Sequence, residues 1–198
     1  MVKVIGLTGS IASGKSTVTS YLLQHGYTVL DADEISRHAL DIGTLCYNRV
    51  VSCFDVLNED LSINRKKLSE IIFNNEDKKR LLESIIHPYV IDELKKGIQE
   101  CQKELIFLDI PLLYEIQLDY LCDKIIVVYV SEQLQKERLM NRNHIDEKQA
   151  ELLMSHQISI EIKKEKADYI IDNQGDLDHL YHEIDRVLKE VGHENIYE

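Results

Sequence analysis

The sequence predicts a three-layer α/β domain on a parallel sheet of five strands. Three observations carry that expectation. Five short runs, 2–7, 27–30, 105–110, 124–130 and 168–171, are β-branched and apolar on both faces, as strands covered on both sides must be. Segments with helical spacing of apolar residues alternate with them. The 198 residues, 44% hydrophobic and 29% charged, are enough for one domain with its own core.

The first strand, 2–7, leads into GSIASGKS at 9–16, and a helix opens at Lys15 with Val18, Tyr21 and Leu22 on one face. The second strand ends in Asp31-Ala32-Asp33. From about 41 to about 102 the alternation gives way to successive helices, among them 68–73 and 89–98, with Pro88 placed as a first helical residue. The third strand carries Asp109 at its end, within ELIFLDIPLLYE (104–115). The fourth precedes a charged helical stretch from about 132 to about 166. The fifth leads to a C-terminal helix whose stripe is Leu177, Leu180, Ile184, Val187, Leu188 and Val191. The core is therefore expected at about 1–40, 103–131 and 167–198. The helical stretches 41–102 and 132–166 are insertions on it, and such insertions usually cover the carboxyl ends of the strands, where ligands bind.

A glycine, four variable residues and Gly-Lys-Ser between a strand and a helix form a phosphate-binding loop. Gly9 and Gly14 allow backbone angles and close approach that a side chain would prevent. The N–H groups of Ala12, Ser13, Gly14, Lys15, Ser16 and Thr17 can turn toward phosphate oxygens, helped by the helix N-terminus. The Lys15 ammonium suits the β- and γ-phosphates, and the Ser16 hydroxyl suits Mg²⁺. The site is thus one for a nucleotide.

Such a loop does not choose an acceptor. Asp31 and Asp33 close the second strand, where a carboxylate can meet a substrate hydroxyl. Either is also a good N-cap, and with two aspartates capping and acceptor chemistry are compatible. Asp109 stands where an acid near Mg²⁺ would sit, or where one would only accept loop hydrogen bonds. Arg138 and Arg142, four apart, share a helix face. They are either surface partners of Glu137 or Glu132, or a lid closing over the transferred phosphate.

The net charge of −12 argues against nucleic acid, which needs a basic face. Cys46, Cys53, Cys101 and Cys122 form no CxxC and read as reduced thiols of a cytoplasmic protein. No stretch has the length of a membrane span and no signal peptide is expected; nothing indicates an obligate protein partner. His179 and His182, without a third ligand, read as surface residues. No Asn-Lys-x-Asp segment points to a GTPase.

Together the pieces resemble the dephospho-CoA kinase family, a group with the P-loop NTPase fold. The resemblance covers nearly the whole chain: GLTGSIASGKSTV at 6–18, DAD at 31–33, INRKKLSEIIF at 63–73, His87-Pro88, and DIPLLYE at 109–115. It continues through Gln135/Arg138/Leu139/Arg142, Gln157 and ADYIIDNQG at 167–175. It implies ATP as co-substrate, Mg²⁺, and phosphorylation of the ribose 3′-hydroxyl of dephospho-CoA. It gives the base role to Asp33, phosphate roles to Lys15 and Ser16, and the lid to Arg142 with Arg138 beside it. It puts Arg65, His87, Leu113 and Tyr114 on the dephospho-CoA side and Asn173 near the adenine of ATP. Another small-molecule or nucleotide kinase of this fold is the alternative, and a non-catalytic ATP-binding module the more distant one. The chain departs from the family at Ser10, Ala12, Asp55 and Leu61, where glycines are common, and at Tyr114, usually phenylalanine.

Overall fold

A computed structural model describes residues 2–193. Met1 and residues 194–198, which the expected core boundaries take in, lie outside the described residues. The strands are β1 (Lys3–Gly9), β2 (Thr28–Asp31), β3 (Leu105–Asp109), β4 (Lys124–Tyr129) and β5 (Tyr169–Asp172). The α-helices are α1 (Lys15–Gln24), α2 (Ala32–His38), α3 (Leu45–Cys53), α4 (Arg65–Phe73), α5 (Glu76–Glu100), α6 (Glu132–Asn143), α7 (Glu147–Ser155), α8 (Ile160–Glu165) and α9 (Leu177–His193). The strands form one five-stranded sheet in the order β2-β3-β1-β4-β5. The chain divides into two compact units, Met1–Val29 with Cys101–Glu198, and Leu30–Glu100.

In the first unit β1 is central. It pairs in parallel with β3 from Lys3↔Leu105 to Leu7↔Asp109, and with β4 from Ile5↔Lys124 to Gly9↔Val128. β4 in turn pairs in parallel with β5 from Ile126↔Tyr169 to Tyr129↔Asp172. Ile5, Leu7, Phe107, Ile126, Val128 and Ile171 from the sheet pack with Val18 and Leu22 of α1 and with Leu180, Ile184, Val187 and Val191 of α9. Of the predicted α9 stripe, Leu188 lies at the margin of this core and Leu177, the first residue of the helix, is exposed. On the opposite face of β1, Gly6 sits against Cys122 and Leu113; a Cβ there would lie 2.8 Å from the Cys122 thiol. Parallel pairing puts Gly9, Asp109, Tyr129 and Asp172 at the same edge, so every segment that leaves a strand of this unit there can serve one ligand.

The second unit is helical. Side chains one residue before each helix satisfy its first N–H groups: Asp31 for α2, Thr44 for α3 and Asn64 for α4. Cys46, Tyr47, Val50, Leu68, Leu82, Ile85, Val90 and Leu94 are buried in it. Pro88 is not the first residue of a helix but lies inside the 25-residue α5. Proline removes one N–H and crowds the Ser84 carbonyl, at about 3 kcal/mol. Leu82, Ile85 and Ile86 before it and Val90 and Leu94 after it are all buried, and each contributes about 1.5–3 kcal/mol. Packing on both sides of Pro88 therefore outweighs the proline. Leu61, one of the departures from family glycines, takes φ 67°, so the position demands the left-handed backbone that glycine adopts without strain.

Candidate active site

The phosphate loop is held by hydrogen bonds of its own. Ser13 N–H donates to the Ser10 carbonyl and Thr17 N–H to the Gly14 carbonyl, each at 3.0 Å. These bonds engage two of the six N–H groups that the sequence offers to phosphate. The N–H groups of Ala12, Gly14, Lys15 and Ser16 have no protein partner among the described residues. Gly14 has φ 88°, and the Asn173 amide lies where its Cβ would be, so no other residue fits. Ala12 also has positive φ, at 61°, and carries the strain that the family's glycine avoids.

Two amides brace the loop from outside. The Asn173 amide nitrogen, just beyond β5, donates to the Ser13 carbonyl at 2.8 Å in a buried setting. One of its donors thus ties the end of β5 to the loop, so the residue that the resemblance puts near adenine also braces the cradle. Gln157, between α7 and α8, accepts the Ile11 N–H at 2.8 Å. The buried Asp109 carboxylate pairs with the Lys15 ammonium and accepts the Thr19 hydroxyl at 2.5 Å. Thr19 escaped the sequence reading, although its place one helical turn after Lys15 puts both on the face that looks toward Asp109.

The expected lid, 132–166, is three helices. Ser131 caps α6, an Asp146/Gln149 capping box opens α7, and Ser159 caps α8. Lys136 binds Glu147 at 2.5 Å and Glu151 at 3.1 Å, tying α6 to α7. Neither Arg138 nor Arg142 pairs with a carboxylate among the described residues; Arg142 donates only to Asn143, at 3.0 Å. A cavity of about 250 Å³ opens between the loop and these helices, lined by Ser10, Gln135, Met154, Gln157 and Ile160 among others. The buried Ser10 hydroxyl has no partner among the described residues.

Leu113 and Tyr114, which the resemblance puts on the dephospho-CoA side, are both buried. Leu113 is wholly buried beside Gly6, and the buried Tyr114 hydroxyl donates to the Lys166 carbonyl at 3.1 Å. The apolar face of PLLYE packs the sheet, and burial pushes the Tyr114 phenol up to about 12. The sequence reading also missed Lys163, which is fully buried with its ammonium 2.8 Å from Glu115. Burial lowers its pKa, the Glu115 hydrogen bond opposes that, and the charge of Lys15 adds to the lowering. A run of charges, KKEK, hid it; only the three-residue spacing from the buried Ile160 signals an inward face.

In the second unit the two aspartates divide their tasks. The Asp31 carboxylate accepts the N–H groups of Asp33 and Glu34 at 2.8 and 3.0 Å, so the cap is Asp31. Asp33 stands in the first turn of α2, its carbonyl accepting the Arg37 guanidinium at 3.1 Å. Arg65, at the start of α4, donates to the Arg37 carbonyl at 2.8 Å and lies 3.7 Å from Asp41. His87 is half-buried on α5.

A sequence profile of the dephospho-CoA kinase family matches residues 3–179. The chain belongs to that family. It is similar to the dephospho-CoA kinase of Oceanobacillus iheyensis, 42% identical over 194 residues, 96% of this chain and 98% of that one. To the dephospho-CoA kinase of Bacillus licheniformis it is 46% identical over 182 residues, 89% and 90% of the two chains. The solved dephospho-CoA kinase from Campylobacter jejuni superposes with a TM-score of 0.77 at 33% identity, covering 98% of this chain and 100% of that one. The fold is thus that of the P-loop kinases, and this member of the family is a phosphotransferase.

Proposed function

We propose that this protein transfers the γ-phosphoryl group of ATP to the ribose 3′-hydroxyl of dephospho-CoA, giving coenzyme A and ADP, the last step of coenzyme A synthesis. The observation that carries the reading is the loop at 9–16, with four N–H groups that have no protein partner among the described residues, in a chain of this family. Those N–H groups receive the phosphates, and the Lys15 ammonium exchanges Asp109 for phosphate oxygens. The protein's metal donors are one hydroxyl, Ser16, and one carboxylate, Asp109, with no cluster of three ligating side chains among the described residues. That set fits Mg²⁺, which keeps waters and phosphate oxygens and takes one or two protein ligands. When bound, Mg²⁺ neutralises charge on the phosphate oxygens.

Asp33 orients the 3′-hydroxyl and accepts its proton as the new P–O bond forms. In a loose transition state the proton leaves late, so an ordinary carboxylate suffices. Arg142, aided by Arg138, closes over the transferred group and excludes water. Arg65 and His87, in the helical unit 30–100, bind dephospho-CoA. Leu113 and Tyr114 support the sheet behind the site.

The test is ADP release from ATP–Mg²⁺ with dephospho-CoA, adenosine, a nucleoside monophosphate or pantetheine as acceptor, with product mass confirming one added phosphate. Turnover on dephospho-CoA alone is the expected result; turnover only on another acceptor would make this a sister kinase. Because Asp31 makes the cap, Asp33→Asn should depress kcat, by about 100-fold or more, far more than it lowers the melting temperature. Normal turnover per folded molecule would remove Asp33 from the mechanism.

A further inference from the structure

Lys163 is buried completely, yet its ammonium makes two directional bonds. It donates to the Pro111 carbonyl at 3.0 Å and binds Glu115 at 2.8 Å. The Pro111 carbonyl, two residues beyond Asp109, also accepts the Thr8 hydroxyl at 3.0 Å, and Thr8 directly precedes the first glycine of the phosphate loop. The same Glu115 oxygen accepts the Ile158 N–H at 2.9 Å. Ile158 follows Gln157, whose side chain holds the Ile11 N–H of the loop at 2.8 Å. One cation therefore joins the exits of β1 and β3 to the turn that grips the loop.

We propose that Lys163, acting through Glu115, is a positioning residue for phosphoryl transfer that holds the α7–α8 turn so that Gln157 fixes the phosphate loop. The chemistry explains why a lysine occupies a place where burial disfavours charge. A carbonyl and a carboxylate oxygen converge there, and a single ammonium bonds to both from one atom. An apolar side chain of the same length would fill the space but leave Glu115 without its counterion, so the carboxylate that accepts the Ile158 N–H would no longer be fixed in place. Gln157 would then drift from Ile11, and the row of N–H groups from Ala12 to Ser16 would lose its alignment. The coupling reaches the ATP side of the reaction through the loop. The inference rests on the reading of residues 9–16 as the ATP phosphate site.

The experiment is steady-state kinetics of the full chain with ATP and dephospho-CoA varied separately, alongside thermal melts. Gln157→Met keeps the length and removes the acceptor. It should raise KM for ATP roughly tenfold, the worth of one good hydrogen bond, while KM for dephospho-CoA stays within about twofold. Lys163→Met should show the same split together with a lower melting temperature. The double variant Glu115→Gln/Lys163→Met removes the stranded carboxylate and should recover the melting temperature but not KM for ATP. Recovery of both in the double variant would make the pair purely structural and overturn the proposal. So would a parental KM for ATP in Gln157→Met, which decides the matter if Lys163→Met does not fold. Lys15→Ala separates the two readings. If it is inactive while Gln157→Met behaves as the parent, only the positioning role fails; if Lys15→Ala turns over normally, the phosphate site and the inference fall together.

Discussion

Asn173→Asp tests the brace on the phosphate loop with almost no change of size. The parent side chain is 8% exposed and donates to the Ser13 carbonyl at 2.8 Å. The substitution replaces that donor by a carboxylate oxygen facing a carbonyl. The lost bond is worth about 1 kcal/mol, and the stranded carbonyl with a buried charge adds one to two more, so about 2–3 kcal/mol at neutral pH. For a chain of this size about 2–4 °C accompanies each kcal/mol, which predicts a fall of about 4–12 °C in Tm. The sign of the pH dependence follows from the proton. Only the protonated carboxyl can donate to Ser13, so folding favours the protonated form and the folded pKa rises above the unfolded value. The deficit is therefore full at high pH and shrinks as pH falls through the folded pKa. Thermal melts of parent and variant from about pH 5 to about pH 8 read this difference directly, and KM for ATP should be raised in the same variant. A variant within about 0.5 kcal/mol of the parent at neutral pH, or a deficit that does not change with pH, would refute the reasoning.

Leu61→Gly should stabilise the protein by about 0.5 kcal/mol, because about 1 kcal/mol of left-handed strain is relieved at an exposed site and part is returned as chain entropy; a loss of that size in denaturant melts would contradict it. Arg142→Lys keeps the charge but not the planar fork, so kcat should fall roughly tenfold. Equal rates for the two would exclude a bidentate phosphate contact. Hydrogen bonds to Asp185 and Glu161 push the phenols of Tyr21 and Tyr129 up to about 12, and burial does the same for Tyr114. Their contribution to stability is complete below the unfolded value near 10 and lost as pH rises toward 12. Tyrosinate absorbance of the native protein should accordingly lag behind that of the unfolded chain, and coincident titrations would disprove it.

The strands were legible because a buried parallel strand writes itself as a short apolar run, and the ends moved by only one or two residues. The GSIASGKS loop was legible for a different reason: its chemistry is mostly backbone, so few sequences do it. What stayed hidden depends on partners distant in the chain. Nothing near Asn173 says that its amide will sit on Gly14, 159 positions away, and nothing in KKEK marks Lys163 as the buried member. Pro88 obeyed a local rule that was outvoted by the apolar residues on either side of it. Asp31 and Asp33 are equal candidates for a cap on paper; only the geometry of the first turn separates them.

The division of the chain has a consequence for its birth on the ribosome. The helical unit, Leu30–Glu100, is contiguous, whereas the unit around the phosphate loop is assembled from both sides of it. β1, six of whose seven residues are buried in the finished sheet, is made first, yet both its pairing strands lie beyond residue 100. At about 5–20 residues per second it waits on the order of 5–20 s for β3 to emerge. The whole helical unit is translated before the central strand meets a neighbour, so the order of synthesis runs against the order of the sheet.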